Sequence, residues 1–112
     1  MDIFDKYNFH DSLIQHIEYF PLKKNLIIDI EFCNWCQSFY TKNEPEIREG
    51  RLIFDNVSFF QFIPATVKIN NNEILEIHKK EKNIIEIVFY NITDVQLLII
   101  KSSNIYWQWR TE

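Results

Sequence analysis

Cys33-Asn34-Trp35-Cys36 is the one stretch of this 112-residue chain whose residue types and spacing match a familiar chemistry. Two cysteines three apart serve as a redox dithiol or as half of a structural zinc site. A redox dithiol needs a strand leading in and a helix leading out, because the helix N-terminus lowers the thiol pKa. The strand is present. The helix is not: residues 37–44 are short, rich in β-formers and stopped by Pro45. Zinc would draw its remaining ligands from His10, His16 and His78, none of which is spaced as a ligand pair. Neither a metal nor another cofactor is expected.

The segment Ile63-Pro64-Ala65-Thr66 is similar to the proline loop that thioredoxin-like enzymes place opposite their dithiol. The roughly 28 residues between Cys36 and Pro64 would then hold a βα unit, and they do not pattern as one. Dithiol chemistry at Cys33 and Cys36 therefore stands as the alternative reading. The leading one puts Cys33 on a strand's outer face under a loop or neighbour, with Cys36 beyond the strand's end.

Other candidates reduce to structure. His10-Asp11 is an oriented general base only if the two side chains meet, and neighbours on a strand point to opposite faces, so Asp11 or Ser12 reads as a turn or cap residue. Asp29 and Glu31 share one face roughly 6.5–7 Å apart, a spacing used by inverting glycosidases but produced by any half-exposed strand. Trp107 and Trp109 read as core anchors of a terminal strand before they read as a stacking platform. Trp35 and Tyr40 flank the one long loop and are the better candidates for an exposed interaction patch.

Strands position all of these groups. In residues 26–32, Leu26, Ile28, Ile30 and Phe32 alternate with Ile27, Asp29 and Glu31, giving one dry and one wetter face. Residues 13–20 read as a strand, with a helical turn as the weaker choice, and the short link through Pro21 makes the two a hairpin. Residues 37–51 read as a solvated loop. Strands follow at 52–55 and 57–62, a short one at 67–70, then 74–78, 84–90, 95–101 and 105–110, with turns at Asn70–Asn72, 79–83, 91–94 and 102–104. Val95-Gln96-Leu97-Leu98-Ile99-Ile100 is apolar on both faces apart from Gln96 and belongs inside a sheet. Residues 84–90 carry one charge, and Lys82 and Asp94 flank them as gatekeepers. Asn takes the positive-φ turn positions that Gly fills elsewhere, since Gly50 is the chain's single glycine. The expected fold is mainly β: one domain, an antiparallel sandwich or partly closed barrel of about seven or eight strands, with at most one short helix.

Composition narrows function. Hydrophobic content of 46% excludes a disordered chain, and a net charge of −4 without a basic stripe argues against nucleic acid. No apolar run is long enough for a membrane helix, and the acidic start lacks the features of a signal peptide. The expected location is the cytoplasm, where the two cysteines would be thiols and the sequons Asn56-Val57-Ser58 and Asn91-Ile92-Thr93 would carry no sugar.

Phe9-His10-Asp11-Ser12, the alternating 26–32 strand, Leu52-Ile53-Phe54-Asp55-Asn56-Val57 and Ser103-Asn104-Ile105-Tyr106-Trp107 form a series. It resembles a broad group of small bacterial proteins with an F-H-D-S, L-x-F-x-N-V, S-I-x-W rhythm, some of them assigned as immunity proteins of polymorphic toxin systems. The resemblance implies a non-enzymatic β-rich domain and carries over no catalytic residue; the C-x-x-C pair is not a feature of that group. The expected function is a cytosolic binding protein that occludes a protein partner, such as a toxin, through an acidic-aromatic surface around Trp35, Tyr40, Glu44 and Glu46. An exposed sheet edge would be the route to a homodimer.

Overall fold

The computed structural model describes residues 3–91 and 94–110. The centre of the expected 91–94 turn, most of the second sequon and the first two residues of the acidic start lie outside the described residues. A four-residue helix, α1 (Ile3–Lys6), precedes eight strands: β1 (Leu13–Phe20), β2 (Asn25–Cys33), β3 (Ile47–Asp55), β4 (Phe59–Ile63), β5 (Asn72–Glu81), β6 (Ile84–Asn91), β7 (Asp94–Lys101) and β8 (Asn104–Trp109). They form one antiparallel sheet in the order β4-β7-β6-β5-β1-β2-β3-β8, which does not close into a barrel.

The sheet divides at β1 and β5, which pair only at Leu13↔Glu73 and Ile14↔Asn72. On one side lie β1, β2, β3 and β8; on the other β5, β6, β7 and β4. The halves curl toward each other and share one core, so Tyr19 of β1 packs on Phe60 of β4 with ring centroids 4.8 Å apart. The inner side chains of β2, namely Leu26, Ile28, Ile30 and Phe32, have no solvent exposure. Each contributes roughly 1.5–3 kcal/mol of burial free energy. Opposite them come Ile85, Ile87 and Phe89 of β6 and Leu98 and Ile100 of β7.

Residues 13–20 form a strand, not a helical turn, and pair with β2 as a hairpin. β7 is internal, between β6 and β4, as its two apolar faces require. β5 runs on through residues 79–81, part of the expected 79–83 turn, and two further stretches differ from expectation. Residues 47–51 are strand, not loop: Ile47, Glu49 and Arg51 line the outer face of β3, and their charges disguise a ladder to Cys33, Glu31 and Asp29. Residues 67–70 form no strand. Val67 and Ile69 pack on the core, while Asn72 binds the backbone beside them, accepting from Asn70 N (2.6 Å) and donating to Lys68 O (3.2 Å).

Candidate functional site

The Cys33–Cys36 stretch lies where β2 ends, at the seam between the halves. Cys33 pairs with Ile47 of β3, and residues Asn34–Cys36 make a single 3-10 turn; no α-helix starts there. The two sulfurs are joined in a disulfide, which corrects the expectation of two thiols. Two intervening residues let the Cα atoms lie 5.5 Å apart across the turn, inside the range a disulfide spans. Pro64 ends β4 in the other half of the sheet and lines neither concavity beside the disulfide.

Buried polar side chains brace the turn from both ends. Ser12 Oγ accepts from Cys33 N at 2.9 Å. Asn34, fully buried, donates to Pro45 O at 2.8 Å. Gln37, also buried, donates to Cys33 O (2.9 Å) and Asn8 O (2.7 Å) and accepts from Asn8 N (2.9 Å). Trp35 N donates to Glu46 O at 3.0 Å. Between these anchors the Trp35 side chain stands 53% exposed. Pinned backbone under a large exposed aromatic ring is a preorganised contact, because little ordering entropy remains to be lost when a partner covers it.

Beside Trp35 opens a concavity of about 310 Å³, lined by Leu13, Cys33 and Ile47 and rimmed by Asp11, Glu31 and Glu73. The strand register assembles it. Leu13 lies opposite Glu31 on one side and Glu73 on the other, so the seam puts two carboxylates around one apolar side chain. Ile47 is 51% exposed and extends the apolar floor. No lysine or arginine lines the hollow. The Glu73 carboxyl is held above its usual range, mainly by a hydrogen bond with Asp11, then by burial and the Asp11 charge, with His10 opposing. A larger concavity of about 410 Å³ lies on the Cys36 side, between residues 4–10 and β5, and mixes Lys6 and His10 with Asp5 and Glu76.

The four predicted contact residues divide. Trp35 and Glu46 are exposed and joined through the backbone. Tyr40 and Glu44 are half-buried, and Glu44 Oε1 caps its own loop by accepting from Thr41 N (3.1 Å) and Oγ1 (3.2 Å). Sequence reasoning missed the rim: Asp11, Glu31 and Glu73 come from three segments that only the seam brings together.

The remaining candidates take structural places. His10 and Asp11 do meet, Nδ1 to Oδ1 at 3.2 Å, contrary to expectation. They sit in the turn before β1, and the positive φ of Asp11 (69°) removes the alternation that would have separated them. Asp29 lies 3.2 Å from Arg51 Nε across the β2–β3 ladder, an ion pair that neutralises it. Trp107 and Trp109 pack with Phe32 against the core, and Arg48 stacks 3.7 Å over the Trp109 ring. No group of three or more His, Cys, Asp or Glu among the described residues is arranged to hold a metal ion.

The chain matches no protein-family model, no curated protein and no solved structure. Its functional reading therefore rests on geometry and charge. No helix among the described residues is long and apolar enough to cross a membrane.

Proposed function

We propose that this chain is a non-enzymatic, cytoplasmic binding domain that occludes a basic protein partner, such as the toxin of a polymorphic toxin system. The observation that carries this reading is the braced, half-exposed Trp35 beside an apolar hollow rimmed by Asp11, Glu31 and Glu73. An aromatic anchor supplies contact area, and surrounding carboxylates steer a basic surface toward it and raise the association rate. Glu46 extends the acidic side, and Tyr40 and Glu44 hold the loop behind it.

Co-purification with the product of the gene directly upstream, followed by calorimetry, tests the proposal. Trp35→Ala is expected to weaken a recovered complex by at least about tenfold, the effect of losing one hot-spot aromatic. Glu31→Lys should slow association and flatten its salt dependence. Failure to recover a partner, or unchanged affinity with both Trp35→Ala and Glu44→Lys, would reject it.

The joined sulfurs favour one rival, a dithiol redox protein using Cys33 and Cys36. Thiol titration after reduction separates the two. A pKa near 8.5 or above for both thiols, with slow alkylation at neutral pH, removes the redox reading.

A further inference from the structure

The outermost strand β4 has backbone pairing on one side only. It is laddered to β7 from Phe59↔Lys101 to Ile63↔Leu97, and among the described residues no strand pairs with its other edge. Natural proteins blunt such an edge with charges, a bulge or a covering segment. β4 reads Phe59-Phe60-Gln61-Phe62-Ile63, with no charge and no register shift in its ladder. Phe59, Gln61 and Ile63 are exposed, and Phe60 and Phe62 are half-buried at the rim of the core. The opposite edge strand, β8, differs: α1 packs beside it, and its end is tied to β3 by Arg110 N donating to Glu49 O at 3.0 Å.

We infer that a second copy of this chain occupies the β4 edge, pairing β4 with β4 antiparallel about a two-fold axis through Gln61. The strand is self-complementary. A two-fold perpendicular to the sheet pairs position 59 with 63, 60 with 62, and 61 with itself. Phe59 then faces Ile63 of the second copy on the outer side, and Phe60 faces its Phe62 on the inner side, where Phe60 and Phe62 already make an edge contact at 6.5 Å. Each pair off the axis occurs twice and Gln61 meets itself once, as an isologous interface requires. Charge also leaves this edge open to a second copy. The chain carries −4, so its copies repel over most of their surface, yet β4 brings no like charges together. Pro64 follows Ile63 directly and has no N–H to donate, so it ends the ladder and disfavours a slipped register. The product is a continuous sheet across both copies. Five residue pairs, about 17 Å of strand, make a small interface, with micromolar dissociation expected.

The Gln61 pairing gives a test that needs no known partner. Sedimentation velocity on the intact chain from about 1 to 300 μM should show a reversible monomer–dimer equilibrium. Gln61→Lys and Gln61→Glu each oppose a charge to itself across the axis, so each should weaken the dimer by about two- to fivefold. Because Gln61 is exposed in the monomer, the circular dichroism of both variants should match the parent. An equimolar mixture of the two variants should recover the dimer as a heterodimer, since lysine then meets glutamate. A monomer throughout the concentration range would overturn the inference. So would a dimer insensitive to both charges, or a mixture that fails to recover association.

Discussion

The indole of Trp107 lies over the backbone of Gly50, where a Cβ would fall 2.7 Å from Trp107 Cε2. Gly50 is not a turn residue. It sits within β3 opposite Ile30 of β2 and Trp109 of β8, and its missing side chain is the space the Trp107 ring fills. Gly50→Ala should destabilise the fold by about 1–3 kcal/mol, the usual effect of overpacking a tight core. A urea titration followed by tryptophan fluorescence reads this as a lower midpoint at an unchanged slope.

With its only glycine used for packing, the chain bends into positive φ with other residues: Asp11, Lys24, Asn56, Asn71 and Asn83. Asn and Asp tolerate this conformation, whereas lysine does so at a cost. Lys24 is held at φ 52° because its N donates to Pro21 O and its O accepts from Val57 N at 2.8 Å. Lys24→Gly should therefore raise stability by about 0.5–1 kcal/mol despite glycine's greater freedom when unfolded. Thermal unfolding should shift upward by a few degrees.

Most of the sheet was legible because burial writes alternation into sequence. Residues 26–32 show it, and the two apolar faces of β7 placed that strand inside the sheet. The first half of β3 was not legible, because its outward charges and Gly50 resemble a loop until Trp107 is seen to need the gap. The site was half legible. Trp35 stood out by type, but its exposure depends on the burial of Asn34 and Gln37, which no local pattern encodes. Leu13, Glu31 and Glu73 become neighbours only through the short β1–β5 pairing, a contact between segments about 60 residues apart.

Glu73 gives the site a pH dependence. Its hydrogen bond with Asp11 favours the protonated carboxyl and raises its folded pKa. The stabilisation is complete below the unfolded carboxylate pKa of about 4.3 and is lost as pH rises through the raised folded value. Glu73→Gln keeps a hydrogen-bonding group without the titration. Its urea midpoint should match the parent near pH 4 and exceed it at pH 7, by a modest amount because the group is partly exposed. Parallel pH dependences for the two proteins would show that the Asp11–Glu73 contact does not stabilise the fold.

The brace around Trp35 separates the work of the disulfide from that of the polar anchors. A disulfide closing so short a loop limits the unfolded chain little, about 2 kcal/mol by the chain-entropy relation. Gln37 makes three hydrogen bonds to Asn8 and Cys33 from a buried position, and losing it removes the side-chain partner of the buried Cys33 O together with two bonds to the backbone of the exposed Asn8. An unsatisfied buried group costs about 1–3 kcal/mol, and each of the other lost bonds about 0.5–1.5 kcal/mol. Gln37→Ala should therefore destabilise more than the double change Cys33→Ser with Cys36→Ser. The two changes should also differ at the Trp35 indole. Its NMR signal should stay single and sharp in the double serine variant, where Asn34 and Gln37 still hold the turn, and broaden in Gln37→Ala. The reverse order in both measurements would make the disulfide the element that presents Trp35.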